Sequence, residues 1–210
     1  MIALYAITDD SGPPPPELER LEVVPIDGLA AVCTRASEPE FSEDAFWRHE
    51  EVVEALMEDR DLVPVRYGTR LEDEGAVVRA VEERRDELLA ALQRVRRAVE
   101  LSVRVVATGK QPPVPSKGDE VSGAEYMRSR ASGEADRKRA SSAVHEPLSS
   151  LARASAEGRP RPKELCRWAY LVGRESVDAF AAAVARLQDE HPELSILCTG
   201  PWPPYSFVAR

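Results

Sequence analysis

Three histidines (His49, His145, His191) and three cysteines (Cys33, Cys166, Cys198) are all the imidazoles and thiols in the chain, and their scatter limits what they can do. A zinc site draws its ligands from close pairs such as CxxC or HExxH, and the sequence contains neither. The phosphate-cradling GxGxxG and GxxxxGK[ST] loops and the GxSxG nucleophile turn are missing as well. A Cys–His nucleophile pair would have to be assembled in space, and no local signature points to one. What remains is adjacency. His49-Glu50 has the groups for proton transfer, while the plainer reading makes His49 a half-buried, locally hydrogen-bonded member of a helix stripe. Arg66, in LVPVRY, is either an anion or partner contact or an arginine paired with a helix carboxylate such as Glu50. Arg137-Lys138-Arg139 suits an acidic partner or RNA, and equally a solvated helix face. The segment 199–208, TGPWPPYSFV, packs three prolines and three aromatics into ten residues. That composition describes a stiff, extended segment presenting Trp202, Tyr205 and Phe207.

The elements that position these residues can be read from the patterning. Residues 1–8 (MIALYAIT) form a strand-length apolar run, closed by Asp9-Asp10-Ser11-Gly12 and by four prolines that cannot continue a sheet ladder. The runs 21–26 and 29–35 are separated only by Asp27-Gly28, a strong hairpin signal. Ser42 caps a helix with Glu43 and Asp44 in its first turn, and Phe46, His49, Val53, Leu56 and Met57 follow at helical spacing. Residues 62–67 read as a strand, with Pro64 suggesting an edge or a bulge. One helix is expected over 73–97, with Val77, Val81, Leu88, Leu92 and Val95 on its stripe. A strand at 99–107 alternates Val99, Leu101, Val103 and Val105, and Gln111–Gly118 reads as a linker. A polar helix then starts near Gly123, and Pro147 should break or restart it. A strand at 165–172, a helix at 175–190 and a strand at 194–199 complete the chain. Helices on one face of each sheet make this an α+β protein, expected as two small domains. The first covers 1–97 and the second 98–210 with the tail 199–210, and strand 99–107 could belong to either.

Composition narrows the function classes. The chain has 210 residues, 28 Lys and Arg against 37 Asp and Glu, and a formal charge of −9. An acidic surface disfavours a global nucleic-acid role, because phosphate binding relies on a basic one. The stretch 117–163 is the exception, with ten basic and seven acidic residues. No apolar run approaches the roughly 18 residues of a membrane helix. The N-terminus lacks a basic n-region, so no signal peptide is expected, and three unpaired-looking cysteines suit reduced thiols in a cytosol.

Four segments together resemble the GvpF/GvpL family of gas vesicle proteins: the tail TGPWPPYSFV, HEEVVEALMEDRDLVPVRYGTRL (49–71), GAEYMRSR (123–130) and WAYLVGR (168–174). They occur in the family's order and spacing over essentially the whole chain. The tail and VPVRYGT are the specific parts, and Pro147 departs from the continuity of the long helix. The resemblance implies a cytoplasmic, non-catalytic accessory or minor structural protein of gas vesicle formation, associated with the vesicle. It further implies a modified ferredoxin-like N-terminal domain and an α+β C-terminal domain with a long helix. The partners implied are the small hydrophobic shell protein and other gas vesicle accessory proteins. No cofactor, metal, nucleic acid, membrane or small-molecule substrate is expected. Arg66, Tyr67, Trp202, Tyr205 and Phe207 are the candidate partner-binding residues.

Two other classes compete. A small-ligand-binding or enzymatic ferredoxin-like domain would need a concave pocket near Arg66 or His49. An RNA-binding module would use the basic stretch. Two local expectations follow from the residues themselves. Gly68 should adopt a positive φ at the strand exit, and the aromatic tail should pack along its own C-terminal domain rather than be offered to the shell protein.

Overall fold

The computed structural model describes residues 1–9, 12–18, 20–35, 42–108 and 123–208, side chains of 123–132 and 136 excepted. The proposed linker 111–118 and the side chains of GAEYMRSR therefore lie outside the described residues. The chain is α+β and divides into two compact units: Met1–Glu100 together with the segment from Trp202, and Leu101–Pro201.

The first unit is built on a five-stranded sheet. Strands β1 (Ile2–Thr8), β2 (Glu22–Ile26), β3 (Leu29–Arg35) and β4 (Leu62–Pro64) run in the order β2-β3-β1-β4, and β5 (Arg70–Leu71) also pairs with β1. All these pairings are antiparallel. Asp27 and Gly28 both take positive φ, 38° and 81°, as the tight β2–β3 turn requires. Pro64 sits on the edge strand β4, where a missing N–H costs no ladder bond, and the β1–β3 register shifts between Leu4 and Ala6. Arg60, buried, donates to the carbonyls of Gly12 (3.1 Å) and Pro13 (2.7 Å) and so fastens the start of the proline run.

Helix α1 (Glu43–Asp59) begins where Ser42 Oγ accepts from the Ala45 N–H, at 3.1 Å. Its buried stripe is His49, Val53, Leu56 and Met57. Phe46, expected at the head of that stripe, is 38% exposed; one turn above His49, it packs edge-on against Trp47 and Tyr67 instead. The single helix expected over 73–97 is two: α2 (Glu74–Glu83), capped by Asp73, and α3 (Arg85–Val95). The break falls at Arg84, whose N–H bonds back to the Val81 carbonyl in a tight turn. The stripe survives the break, with Val77, Val81, Leu88, Leu92 and Val95 all buried.

The second unit holds a four-stranded sheet in the order β7-β8-β6-β9, with β6 (Ala98–Ala107), β7 (Ala154–Glu157), β8 (Glu164–Gly173) and β9 (Leu194–Trp202). The expected alternation in β6 holds: Val99, Leu101, Val103 and Val105 are buried. The short strand β7, absent from the sequence reading, pairs antiparallel with β8. Helices α4 (Gly123–Ser149) and α5 (Val177–Glu190) supply Val144, Leu148, Phe180, Val184 and Leu187 to the core with Trp168 and Tyr170. Pro147 does not break α4. It lies two residues from the helix end, where the forfeited bond is one of the last, and Ser149 and Ser150 hydroxyls donate to the carbonyls of Glu146 and Pro147. His145 stacks on Trp168 and lies 3.0 Å from the Tyr170 hydroxyl.

Candidate functional site

Five residues were singled out by sequence: Arg66 and Tyr67 share one turn, Trp202, Tyr205 and Phe207 lie on the tail, and Arg66 and Tyr205 line one cleft. Arg66 and Tyr67 lie in the turn after β4, which closes where the Thr69 N–H and hydroxyl both donate to the Arg66 carbonyl at 3.2 and 2.8 Å. Gly68 in this turn has φ +85°, as expected. The Arg66 side chain is exposed and makes no hydrogen bond or ion pair among the described residues. Its expected partner Glu50 is engaged elsewhere, which answers the question left open by sequence against an internal pair.

Tyr67 belongs to an aromatic cluster. His49, 5% exposed, stacks on Tyr5 with ring centroids 4.9 Å apart, and its Nε2 lies 2.8 Å from the Val65 carbonyl. Burial pulls the His49 pKa below the ordinary imidazole value, against the opposing effect of that hydrogen bond. Tyr67 meets His49 edge-on at 5.7 Å and Phe46 edge-on at 5.7 Å, and Phe46 in turn meets Trp47 at 5.3 Å. The inner end of the cluster is core; the outer end is solvent, with Trp47 56% exposed. His49 and Glu50, adjacent in sequence, are about 100° apart around the helix and serve different neighbours, so they are not an acid–base pair. Sequence reasoning placed Phe46 in the core stripe and passed over Trp47. Large aromatics in a first turn beside Glu43 and Asp44 were the available signal.

The tail docks on the first unit, not on the C-terminal domain expected for it. Tyr205 donates its hydroxyl to Glu50 Oε1 at 3.1 Å, and the Ser206 N–H and hydroxyl both donate to Glu100 at 2.9 Å. Arg94 Nη1 donates to the Phe207 carbonyl at 3.0 Å. Pro203, Pro204 and Phe207 are buried, and Val208 packs against the first unit's core. Burial raises the pKa of Glu50 and Glu100 above the usual carboxylate value, although the tail's hydrogen bonds pull the other way. Burial, then the Glu50 charge, likewise pushes the Tyr205 phenol up. Tyr205 and Phe207 are thus internal anchors. Trp202 stays 41% exposed.

Two concavities adjoin these features. A cleft of about 310 Å³ lies among β1, β4, α2, α3 and the tail, with Arg66, Arg84, Glu87 and Tyr205 in its lining. A wider hollow of about 850 Å³ is bordered by Tyr5, Arg48, His49 and Tyr67. Among the described residues no group of histidine, cysteine and carboxylate side chains could hold a metal ion, and no helix is long and apolar enough to cross a membrane. The thiols of Cys33 and Cys166 are pushed up by burial to about 11 and about 12, which leaves them protonated and poor nucleophiles.

Comparison with known proteins places this arrangement. The family model described as gas vesicle synthesis protein GvpL/GvpF matches residues 2–209. Gas vesicle protein L of Streptomyces sp. (strain CB03234) is 30% identical, over 94% of this chain and 84% of its own length. Gas vesicle protein F2 of Halobacterium salinarum is 28% identical, over 90% of this chain and 80% of its own. In fold, the crystal structure of the gas vesicle protein GvpF from Anabaena sp. PCC7120 superposes with a TM-score of 0.84 at 20% identity, covering 100% of this chain and 96% of that one. The corresponding GvpF from Microcystis aeruginosa gives 0.78 at 18% identity, covering 100% and 99%. With the family model spanning nearly every residue, and relatives and solved structures agreeing along the same length, the chain belongs to the GvpL/GvpF family of gas vesicle synthesis proteins.

Proposed function

We propose that this chain is a non-catalytic accessory or minor structural protein of gas vesicle formation that binds the hydrophobic shell protein and works with other accessory proteins, in the cytoplasm and on the vesicle. Family membership supports the role in vesicle formation. The need for such a protein is physical: a subunit lining a gas space presents a large apolar face, which before assembly is an aggregation hazard that a soluble partner can cover.

The observation that carries the binding role is the cluster of Phe46, Trp47 and Tyr67. Phe46 and Trp47 on α1 and Tyr67 in the turn after β4 meet edge-to-face, and Phe46 and Trp47 remain substantially in water. Pre-ordered aromatic rings make efficient contact surface, because little side-chain freedom is lost on docking. Of the residues proposed from sequence, Tyr67 belongs to this surface, Arg66 flanks it as an exposed cation, and Trp202 is a second exposed ring. Tyr205 and Phe207 contribute by holding the tail in place.

The test compares the wild type with Phe46→Ser/Trp47→Ser in shell-protein pull-down and in vesicle production by a deletion strain. The double substitution is expected to keep the fold, by circular dichroism, while losing capture and vesicles. Normal capture by the folded variant, or intact vesicles in the clean deletion strain, would overturn the reading.

A further inference from the structure

The cleft beside Arg66 has a chemistry the proposed partner surface does not use. Its walls are aliphatic, among them Leu4, Ile7, Val63, Leu71, Val81 and Leu88. Three charged residues are in its lining: Arg66, Arg84 and Glu87. Arg84 and Glu87 neutralise each other through two hydrogen bonds of 2.9 Å. The other polar donors at the rim are also committed, the Tyr205 hydroxyl to Glu50 and the Thr69 hydroxyl to the Arg66 carbonyl. Arg66 alone is left, an exposed lining residue whose guanidinium has no partner among the described residues.

A slot of aliphatic walls with one uncommitted cation at its rim is complementary to an aliphatic chain ending in one anion. We propose that this cleft binds a medium-chain aliphatic carboxylate, its chain against the β1–β4 and α2–α3 walls and its carboxylate on Arg66. The size agrees. An apolar cavity of about 150 Å³ takes up benzene, so about 310 Å³ accommodates a ligand of roughly ten non-hydrogen atoms, an eight-carbon carboxylate. Guanidinium and carboxylate match in planar, two-point geometry. The fully neutralised Arg84–Glu87 pair neither attracts nor repels the headgroup to first order, so the single net positive charge of the lining belongs to Arg66. Binding here involves no reaction and no partner protein; Arg66 also flanks the aromatic surface, whereas the aliphatic walls and the rings Phe46 and Trp47 are separate, so octanoate binding and shell-protein capture are read independently.

Sodium octanoate titrated calorimetrically into the full-length protein tests this, with octan-1-ol as the uncharged arm and methyl NMR to locate the site. Octanoate is expected to bind at one site with a dissociation constant on the order of 0.1–1 mM for a ten-atom ligand, shifting the methyls of Leu4, Val81 and Leu88. Arg66→Ala, at an exposed position that leaves the fold intact, should weaken octanoate about fivefold and leave octanol unchanged. Arg66→Glu should weaken octanoate further. Ala80→Phe, which fills the slot from a half-buried lining position, should remove binding of both; if that variant fails to fold, the two Arg66 variants decide alone. Absence of saturable octanoate binding up to 10-fold above about 1 mM, equal affinity in wild type and Arg66→Ala, or methyl shifts confined to residues outside the cleft would each overturn the proposal.

Discussion

Replacing Phe207 by alanine removes the ring of a residue that is 7% exposed, on a tail whose backbone is held by Arg94 at the Phe207 carbonyl and by Glu100 at the Ser206 N–H. Truncating a buried Phe usually costs about 3–5 kcal/mol, through lost burial and the cavity left behind. The lower end applies here. A segment docked on the surface can relax toward the vacated space, and the total loss is capped by the free energy that docks the segment at all. About 3 kcal/mol corresponds to a fall in Tm of roughly 6–12 °C for a protein of this size. Trp202, 41% exposed, gives up less area and leaves no enclosed cavity, and Trp202→Ala should cost about 2 kcal/mol at roughly 25 cal/mol per Å² of apolar surface. Urea and thermal denaturation of the two variants side by side measure both numbers. Arg94→Ala, which removes the donor to the Phe207 carbonyl, should fall between them. A Trp202→Ala loss larger than the Phe207→Ala loss, or a Phe207→Ala protein with unchanged Tm, would refute the assignment of Phe207 as the tail's anchor.

Gly68→Ala should lose on the order of 1 kcal/mol or more, because φ +85° is costly for any residue bearing a Cβ; unchanged urea stability would contradict the turn geometry. Glu50 is held above its ordinary carboxyl pKa mainly by burial, so the native state keeps its proton to higher pH than the unfolded chain. The stabilisation from that neutral form is present below about pH 4.5 and is lost as pH rises through the raised native value. Glu50→Gln, still able to accept from Tyr205, is therefore expected to melt slightly higher than wild type at pH 7, with the gap closing near pH 4. A gap that widens on acidification, in melting curves taken across that range, would show the sign to be wrong.

Local signals were legible in the sequence to the extent that the physics deciding them is local. Asp27-Gly28 specifies its turn because only small or flexible residues adopt positive φ twice in succession. Ser42 and Asp73 mark helix starts because their side chains satisfy N–H groups three residues on. The alternation of β6 was plain because one of its faces is core. The break at Arg84 left no trace, since neither glycine nor proline stands there and the apolar stripe runs through it unbroken. Phe46 was misplaced because helical periodicity says which face a residue occupies and not how far the covering sheet extends. Arg66 was equally ambiguous, as its pairing depended on whether Glu50 was free, and Glu50 is taken by a residue 155 positions away. The tail's destination depended on three such long-range contacts, to Glu50, Arg94 and Glu100, none of which has a signature in the segment itself.

That return of the chain has a consequence for synthesis. The first unit consists of residues 1–100 and the segment from Trp202, so a part made before the intervening stretch is completed only after it. Elongation at about 5–20 residues per second leaves the opening hundred residues without Phe207 and Val208 for on the order of 5–20 s while the intervening stretch is made. Through that interval the surface covered in the finished protein by Phe207 and Val208 is open, and Glu50 and Glu100 face water without their tail donors. The segment from Trp202 therefore acts as a late closure on an earlier folded layer, and a ribosome that stalls within the intervening stretch holds a chain whose first sheet is formed but unsealed. Premature termination just before Trp202 should accordingly yield protein that is captured by chaperones and degraded.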